Sequence, residues 1–180
     1  SPPIFLPKKP WIIGVIGRRE PTKGTRYALE AFEKIARIDP HAHLKVAFGN
    51  LPENWHHDRA EVVLPRNDMQ LADYYRSVDV MLAPGTVQLG AVHYPVLESM
   101  ACGTPIITTG YLPANSENAW IVPTHDGESI VQAAFEVQRI PIDQLSIKLD
   151  NANDAVREFF WPVVARKFLD EFGKSEHIYH

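Results

Sequence analysis

Residues 11–38 carry the pattern that most constrains the fold of this chain. Trp11–Ile16 is a short, continuous apolar run rich in β-branched side chains, typical of a strand buried on both faces. A polar loop follows, and from Thr25 to Ile38 the apolar residues recur at helical spacing. Thr25 is the expected N-cap of this helix, and Asp39 and Pro40 end it. Together these segments predict the start of an alternating α/β fold.

The same alternation continues along the chain. Five or six short strands alternating with helices predict a Rossmann-like, doubly wound α/β fold, with a mostly parallel sheet and helices on both faces. Such sheets bind ligands in the loops at the carboxyl ends of their strands. Asp126 or Thr124 is expected to cap a helix starting at Gly127. The remaining strands are predicted at 43–48, 61–64, 78–83, 104–109 and 120–123, and the remaining helices at 69–77, 95–101, 127–138, 142–159 and 161–173.

Composition and charge exclude several classes of protein. The 180 residues include one cysteine, which rules out an intrachain disulfide scaffold, and no apolar run approaches the ~20 residues needed to span a bilayer. The sequence therefore predicts a cytoplasmic protein. The formal net charge of −4 argues against a nucleic-acid partner. Residues 1–26 nevertheless hold six cationic side chains against one glutamate, which favours a local anionic ligand.

The loop from Gly17 to Gly24 is a candidate anion site. Glycine lets backbone N–H groups approach a ligand, and the start of a helix offers unpaired N–H donors with a partial positive charge. Arg18 and Lys23 add full charges, so a diphosphate fits the loop. The alternative is a solvated loop whose charges only keep the surface soluble. The spacing of Gly14 and Gly17, with Lys23 before Gly24, matches neither a P-loop nor the dinucleotide fingerprint.

The segment before and after Glu98 is the second candidate. Glu98 is placed in the first turn or so of a short helix, where a carboxylate either complements the helix dipole or accepts hydrogen bonds from two neighbouring sugar hydroxyls. His93 lies in the preceding loop, and its contact with a ligand stays open. Cys102 is expected to be a small core residue, because no activating partner lies near it in sequence. Residues 56–58 (His-His-Asp) have no further metal ligand at a matching spacing, so a hydrated loop is preferred there.

Several motifs in the right order resemble glycosyltransferase family 4. They are Ile16–Arg18, Lys23–Gly24, Glu30–Phe32 and Pro95–Ile106, with further pieces at 71–82, 117–123 and around Phe160 and Trp161. Members of this family are retaining enzymes of the GT-B fold, in which two Rossmann-like domains enclose the active site. The resemblance covers residues 11–173 and falls on the carboxy-terminal, donor-binding domain.

The resemblance implies roles for particular residues. Arg18 and Lys23 would hold the donor diphosphate and stabilise the leaving nucleoside diphosphate, because fixed cations lower the barrier where negative charge develops. Glu98 matches the family's second glutamate and would bind the donor ribose. Two cations on the diphosphate imply a metal-independent enzyme, with a nucleotide-sugar as substrate and no other cofactor. The remaining candidates for the donor site are Gly17, Gly24, Gly90, His93 and Leu64, the last in a base-reading loop at 64–66.

One position departs from the family pattern. Gly90 stands eight residues before Glu98, where the family usually has its first glutamate, and the nearest candidate, Gln88, is neutral. The family's Gly-Phe-Gly is changed to Ala-Val-His at residues 91–93. The chain is therefore a divergent member, an inactive relative, or one of a subgroup that handles its sugar differently. A deoxysugar donor is compatible with the loss of the carboxylate.

The expected domain organisation is a linker at 1–10, the donor-binding domain at 11–173 and a flexible tail at 174–180. An amino-terminal acceptor domain is absent from this chain, so the isolated chain is expected to be inactive. Without that domain, apolar residues of the last helix would form an exposed patch that favours a dimer. These residues are Val163, Val164, Phe168, Leu169 and Phe172.

The favoured function is the donor-binding domain of a retaining glycosyltransferase. It would transfer a sugar from a nucleotide-sugar to a glycan or lipid-linked acceptor, as in polysaccharide biosynthesis. Such a full-length protein would be cytoplasmic or attached to the inner face of a membrane. The alternatives are a non-catalytic nucleotide-binding or scaffolding domain and another GT-B relative such as a nucleotide-sugar epimerase.

Overall fold

The described part of the chain contains six strands and five α-helices, which alternate over much of its length. The structure, a computed structural model, describes the backbone of residues 9–175 and the side chains of residues 9–159. The six strands are Trp11–Ile16 (β1), Ala42–Ala47 (β2), Ala60–Val63 (β3), Val80–Ala83 (β4), Ile106–Thr108 (β5) and Trp120–Ile121 (β6). The five α-helices are Thr25–Ile38 (α1), Asp68–Arg76 (α2), Tyr94–Ala101 (α3), Gly127–Arg139 (α4) and Ile142–Ser175 (α5), and a 3₁₀ turn covers Pro21–Lys23.

The six strands form one parallel sheet in the order β3-β2-β1-β4-β5-β6. β1 pairs with β2 on one side and with β4 on the other, so the strand order reverses at β1. In a doubly wound sheet the ligand crevice lies at this switch point, above the carboxyl ends of the strands. The predicted fold class is confirmed, and the structure places the loops after β1 and β4 at that crevice.

Helices cover both faces of the sheet because alternate strand residues point to opposite sides. Ile13 and Val15 of β1 join a core that includes Phe32 of α1 and residues of α4. Met81 and Ile106 join the other core, which includes residues of α2, α3 and α5. Each predicted strand is present, and so is each predicted helix except that the last two are one helix, α5; most of the other ends differ from the prediction by one or two residues.

Of three predictions about where helices begin or end, one is confirmed and two are wrong. Thr25 as N-cap of α1 is wrong, because Gly24 takes that position with φ of +75° and the Thr25 hydroxyl bonds elsewhere. Asp126 as N-cap of α4 is confirmed, since its Oδ1 accepts a hydrogen bond from the Ser129 amide at 2.9 Å. The predicted break near Trp161 is also wrong, since α5 is continuous there. An internal proline removes one backbone donor, but it need not end a helix.

Some predictions fall on parts of the chain that lie outside the description. Residues 1–8 of the expected linker and 176–180 of the expected tail are outside the described residues, and so are the side chains of the apolar stripe at 163–172. Within 9–175, none of the helices has both the length and the apolar character of a membrane span.

His57 packs edge-on to Phe32 with 4.9 Å between ring centroids, and its Nδ1 accepts a hydrogen bond from the Arg59 amide at 3.0 Å.

Candidate functional site

The loops after β1 and β4 touch each other above the crevice. The Thr86 amide in the second loop donates to the Thr22 carbonyl in the first at 2.8 Å. Gly24 lies directly against Pro84, because a Cβ on Gly24 would stand 2.0 Å from the Pro84 carbonyl oxygen. The sequence treated these loops as separate candidates, and the structure joins them into one site.

The backbone of the first loop is held tightly around Arg18. Gly17 is buried against Gly49, whose carbonyl oxygen would lie 1.6 Å from a Cβ at position 17, so a larger residue does not fit. The Asn50 amide group donates to the Gly17 carbonyl at 3.1 Å. The Thr25 hydroxyl donates to the Arg18 carbonyl at 3.1 Å and accepts the Arg18 amide at 3.2 Å. The backbone of Arg18 is therefore fixed while its side chain is exposed.

The first loop presents unpaired positive charge at the start of α1. Among the described side chains, neither Arg18 nor Lys23 has a carboxylate within ion-pair distance, whereas Arg26 is paired with Glu30 at 2.8 Å. Arg18 also lines an open cavity of about 540 Å³ between the first loop and the loop after β2. Two unpaired cations beside a helix N-terminus can neutralise an anion such as a diphosphate.

The second loop is anchored to the segment that follows β5. The Gly90 amide donates to the Gly110 carbonyl at 2.7 Å, and the Leu112 amide donates to the Ala91 carbonyl at 3.0 Å. Gly90 has φ of +83°, a left-handed conformation that favours glycine, and no atom of the described residues lies within 4 Å of where its Cβ would be. The place where the family has a glutamate is thus a fixed backbone position with open space beside it.

His93, in the second loop, has a pKa that the charges of the two cations lower. It is the N-cap residue of α3, and its ring lies 4.6 Å from that of Tyr111, whose hydroxyl donates to the Val87 carbonyl at 2.7 Å. Burial, then the charges of Lys23 and Arg18, lower the pKa of His93 to about 4. The charges of Arg18 and Lys23 therefore reach His93 and help keep it a neutral imidazole, which can donate and accept hydrogen bonds.

Lowering the pH should destabilise the protein through His93. Between about pH 6.5, the ordinary pKa, and about pH 4, the unfolded chain binds a proton that the folded chain does not, so stability falls as pH falls through that window. Because the side chain is partly exposed, we expect wild type to lose about 1 kcal/mol more than His93→Gln between pH 7.5 and pH 5. Urea unfolding at both pH values measures the difference, and equal losses in the two proteins would contradict it.

Glu98 lies in the second turn of α3, deeper in the helix than predicted. Its half-buried carboxylate faces α2, where the Tyr75 hydroxyl donates to Glu98 Oε2 at 2.6 Å. Both residues line a groove of about 350 Å³ between α2 and α3. Sequence reasoning missed Tyr75, because the two residues are far apart in the chain and only the packing of α2 on α3 joins them.

Two residues remain to be placed: Leu64, a donor-site candidate, and Cys102, which was expected to be a core residue. Leu64 follows β3 at the edge of the sheet, about 10 Å from β1 because β2 lies between them, and it is 65% exposed. Cys102 is half-buried in the groove that contains Glu98, and burial raises the pKa of its thiol. A raised thiol pKa is the direction of a weak nucleophile, in line with the expectation of a packing role.

Comparisons with known proteins find a matching family and similar individual proteins. Residues 10–138 match the family described as glycosyl transferases group 1. The D-inositol 3-phosphate glycosyltransferase of Corynebacterium glutamicum is 24% identical over 94% of this chain and 45% of its own length. The protein of the same name in Mycobacteroides abscessus is 26% identical over 66% of this chain and 27% of its own length. The chain thus spans less than half the length of these relatives.

Solved structures share the fold. The C-terminal domain of the group 1 glycosyl transferase LpcC from Francisella tularensis superposes with a TM-score of 0.68 at 19% identity, covering 85% of this chain and 88% of that domain. HepE from Anabaena, solved with UDP-glucose, gives a TM-score of 0.71 at 16% identity over 92% of this chain and 49% of its own. With the match over residues 10–138 on this fold, the chain belongs to the group 1 family of glycosyl transferases.

Proposed function

We propose that this chain is the donor-binding domain of a retaining glycosyltransferase, which transfers a sugar from a nucleotide-sugar to a glycan or lipid-linked acceptor. The observation that carries the proposal is the meeting of the two loops at the switch point of the sheet. There Arg18 and Lys23, which have no carboxylate partner among the side chains of residues 9–159, lie close enough to His93 for their charges to help keep its imidazole neutral. Support also comes from the similar fold of HepE, which was solved with UDP-glucose.

Different residues of the site bind different parts of the donor. Arg18 and Lys23 take the diphosphate and stabilise the charge that develops on it as the glycosidic bond to phosphate breaks, so that no metal is needed. Gly17 and Gly24 keep the backbone of the first loop close to the phosphates. Glu98 accepts the ribose hydroxyls, His93 lies on the sugar side, and the loop from Leu64 reads the base.

The substrate class follows from Gly90. An acidic side chain at this place would accept hydrogen bonds from sugar hydroxyls, and glycine removes those acceptors. A donor sugar with fewer hydroxyls, such as a deoxysugar, loses least by this change. The acceptor belongs to a preceding domain, so the isolated chain binds the donor without turnover and, in this proposal, works in the cytoplasm or at the inner face of a membrane.

Calorimetric titration of the 180-residue chain with UDP, GDP, dTDP and ADP tests the donor site. We expect saturable binding of one of these diphosphates, weakened about tenfold by Glu98→Ala, because a hydrogen bond to a charged group is worth about 1.5–3 kcal/mol. Glu158→Ala, which removes an exposed carboxylate on α5, is the matched control and should bind as wild type does. Absence of binding by every diphosphate would overturn the proposal.

A non-catalytic nucleotide-binding domain is the second candidate, and Gly90 is the observation that favours it. Both candidates bind a diphosphate, so they separate only by turnover. Release of nucleoside diphosphate from a nucleotide-sugar by the full-length protein, abolished by Arg18→Ala, would establish the transferase. Binding by the full-length protein without release in the presence of acceptor would establish the non-catalytic domain.

A further inference from the structure

Tyr75 is fixed at both its backbone and its ring. Its side chain has no exposed surface, and its ring stands edge-on to that of Tyr74 with 5.6 Å between centroids. Its carbonyl oxygen accepts the Thr104 hydroxyl at 2.7 Å, just beyond the end of α3. The Thr104 amide in turn donates to the Ser99 carbonyl of α3 at 3.0 Å. These bonds tie the end of α2 to α3 and leave the Tyr75 hydroxyl little freedom of position.

The Tyr75 hydroxyl occupies one oxygen of Glu98 and leaves the other available. It donates to Oε2 at 2.6 Å, a short distance that is typical of a hydroxyl bonded to a carboxylate. Burial, reinforced by the bond to Glu98, raises the pKa of Tyr75, so the phenol keeps its proton at any working pH. Oε1 accepts no hydrogen bond from the side chains of residues 9–159, and the groove beside it is open.

We propose that Tyr75 is a positioning residue that orients the Glu98 carboxylate toward the 2′- and 3′-hydroxyls of the donor ribose and so makes the site selective for ribonucleotides. The inference rests on the proposed donor-binding function. A free glutamate side chain loses rotamer entropy when it binds a ligand, and the bond from Tyr75 removes that cost in advance. Oε1 can then accept one ribose hydroxyl and the free lone pair of Oε2 the other.

Selectivity for the ribose should therefore depend on Tyr75. We measure the affinities of UDP, GDP and ADP, each against its 2′-deoxy counterpart, by calorimetry on the 180-residue chain. In wild type we expect a preference for the ribonucleotide of about tenfold, because the deoxy compound leaves a desolvated carboxylate oxygen without its partner. Tyr75→Phe should reduce that preference to about twofold, and Glu98→Gln should add little to the loss in the double variant.

Tyr74→Phe is the matched control on the neighbouring residue. Tyr74 Oη lies 2.9 Å from the carbonyl oxygens of Val15 and Lys45, in the strands and away from α3. The substitution removes a phenol oxygen from a second buried tyrosine and should lower stability while leaving the ribose preference at the wild-type value. A general loss of stability affects the binding of both nucleotides alike and cancels in the ratio.

Each outcome decides the inference. If Tyr75→Phe keeps the full ribose preference, or wild type has none although a diphosphate binds, the positioning role is overturned and the donor site stands. If no diphosphate binds, both fall together. Should Tyr75→Phe not fold, the tyrosine Cζ resonances of wild type replace it: on addition of UDP, GDP or ADP the Tyr75 signal should shift and that of Tyr74 should not, and an unshifted Tyr75 signal overturns the role.

Discussion

Replacing both Arg18 and Lys23 by alanine should weaken nucleoside diphosphate binding by about a hundredfold or more. Each cation is free of a carboxylate among the described side chains, so it has its full charge to offer to a phosphate. Hydrogen bonds to charged groups are worth about 1.5–3 kcal/mol each, and two of them account for that loss. Calorimetric titration of the double variant with the diphosphate that binds wild type best gives the ratio directly.

Arg37→Ala is the control for that experiment, since Arg37 is an exposed cation at the far end of the same helix, α1. It should bind the diphosphate as wild type does. Raising the salt concentration should weaken wild type more than the double variant, because fewer charges remain in the variant to be screened. If diphosphate binding survives in the double variant, the anion binds elsewhere and the donor site loses its basis.

Gly24→Ala should lower the free energy of unfolding by about 3 kcal/mol or more. Two effects add at this position. The φ of +75° costs a residue with a Cβ about 1–2 kcal/mol, and that Cβ would stand 2.0 Å from the Pro84 carbonyl oxygen, so backbone must move. The movement would separate the two loops of the site, and diphosphate binding should fall together with stability.

Gly103→Ala isolates the first of these two effects. Gly103 has φ of +69°, close to that of Gly24, but in the part of the chain that the structure describes no atom lies within 4 Å of its Cβ position. It should cost only the conformational term of about 1–2 kcal/mol and leave diphosphate binding unchanged. Urea unfolding with both midpoint and slope determined compares the variants. Equal destabilisation by the two substitutions would show that the close approach to Pro84 adds nothing to the free-energy cost of Gly24→Ala.

Local patterns predicted the elements better than their ends. The helical spacing of apolar residues and the stop at Asp39 placed α1 correctly, because both signals are local. The run at 120–123 predicted a longer strand than β6, which ends at Ile121, because a strand ends where its pairing partner ends. The break expected near Trp161 also failed, since a proline penalises a helix without always ending it.

The charges of the site could be predicted, and its contacts could not. Arg18 and Lys23 stand in one short loop, so their proximity follows from the sequence. Tyr75 touches Glu98 only because α2 and α3 pack side by side on one face of the sheet. The adjacent pair Tyr74 and Tyr75 is a signal in hindsight, since neighbours on a helix point about 100° apart and reach different partners.

Gly90 also bears on how this chain can evolve. Its backbone is held by Gly110, yet none of the described residues fills the space where a side chain would go. Some glycine codons differ from a glutamate codon by a single nucleotide, so one mutation could place a carboxylate there, at the modest cost of a left-handed residue. In the proposed donor site, such a mutation would change the sugar contacts at this position while leaving the backbone hydrogen bond to Gly110 in place.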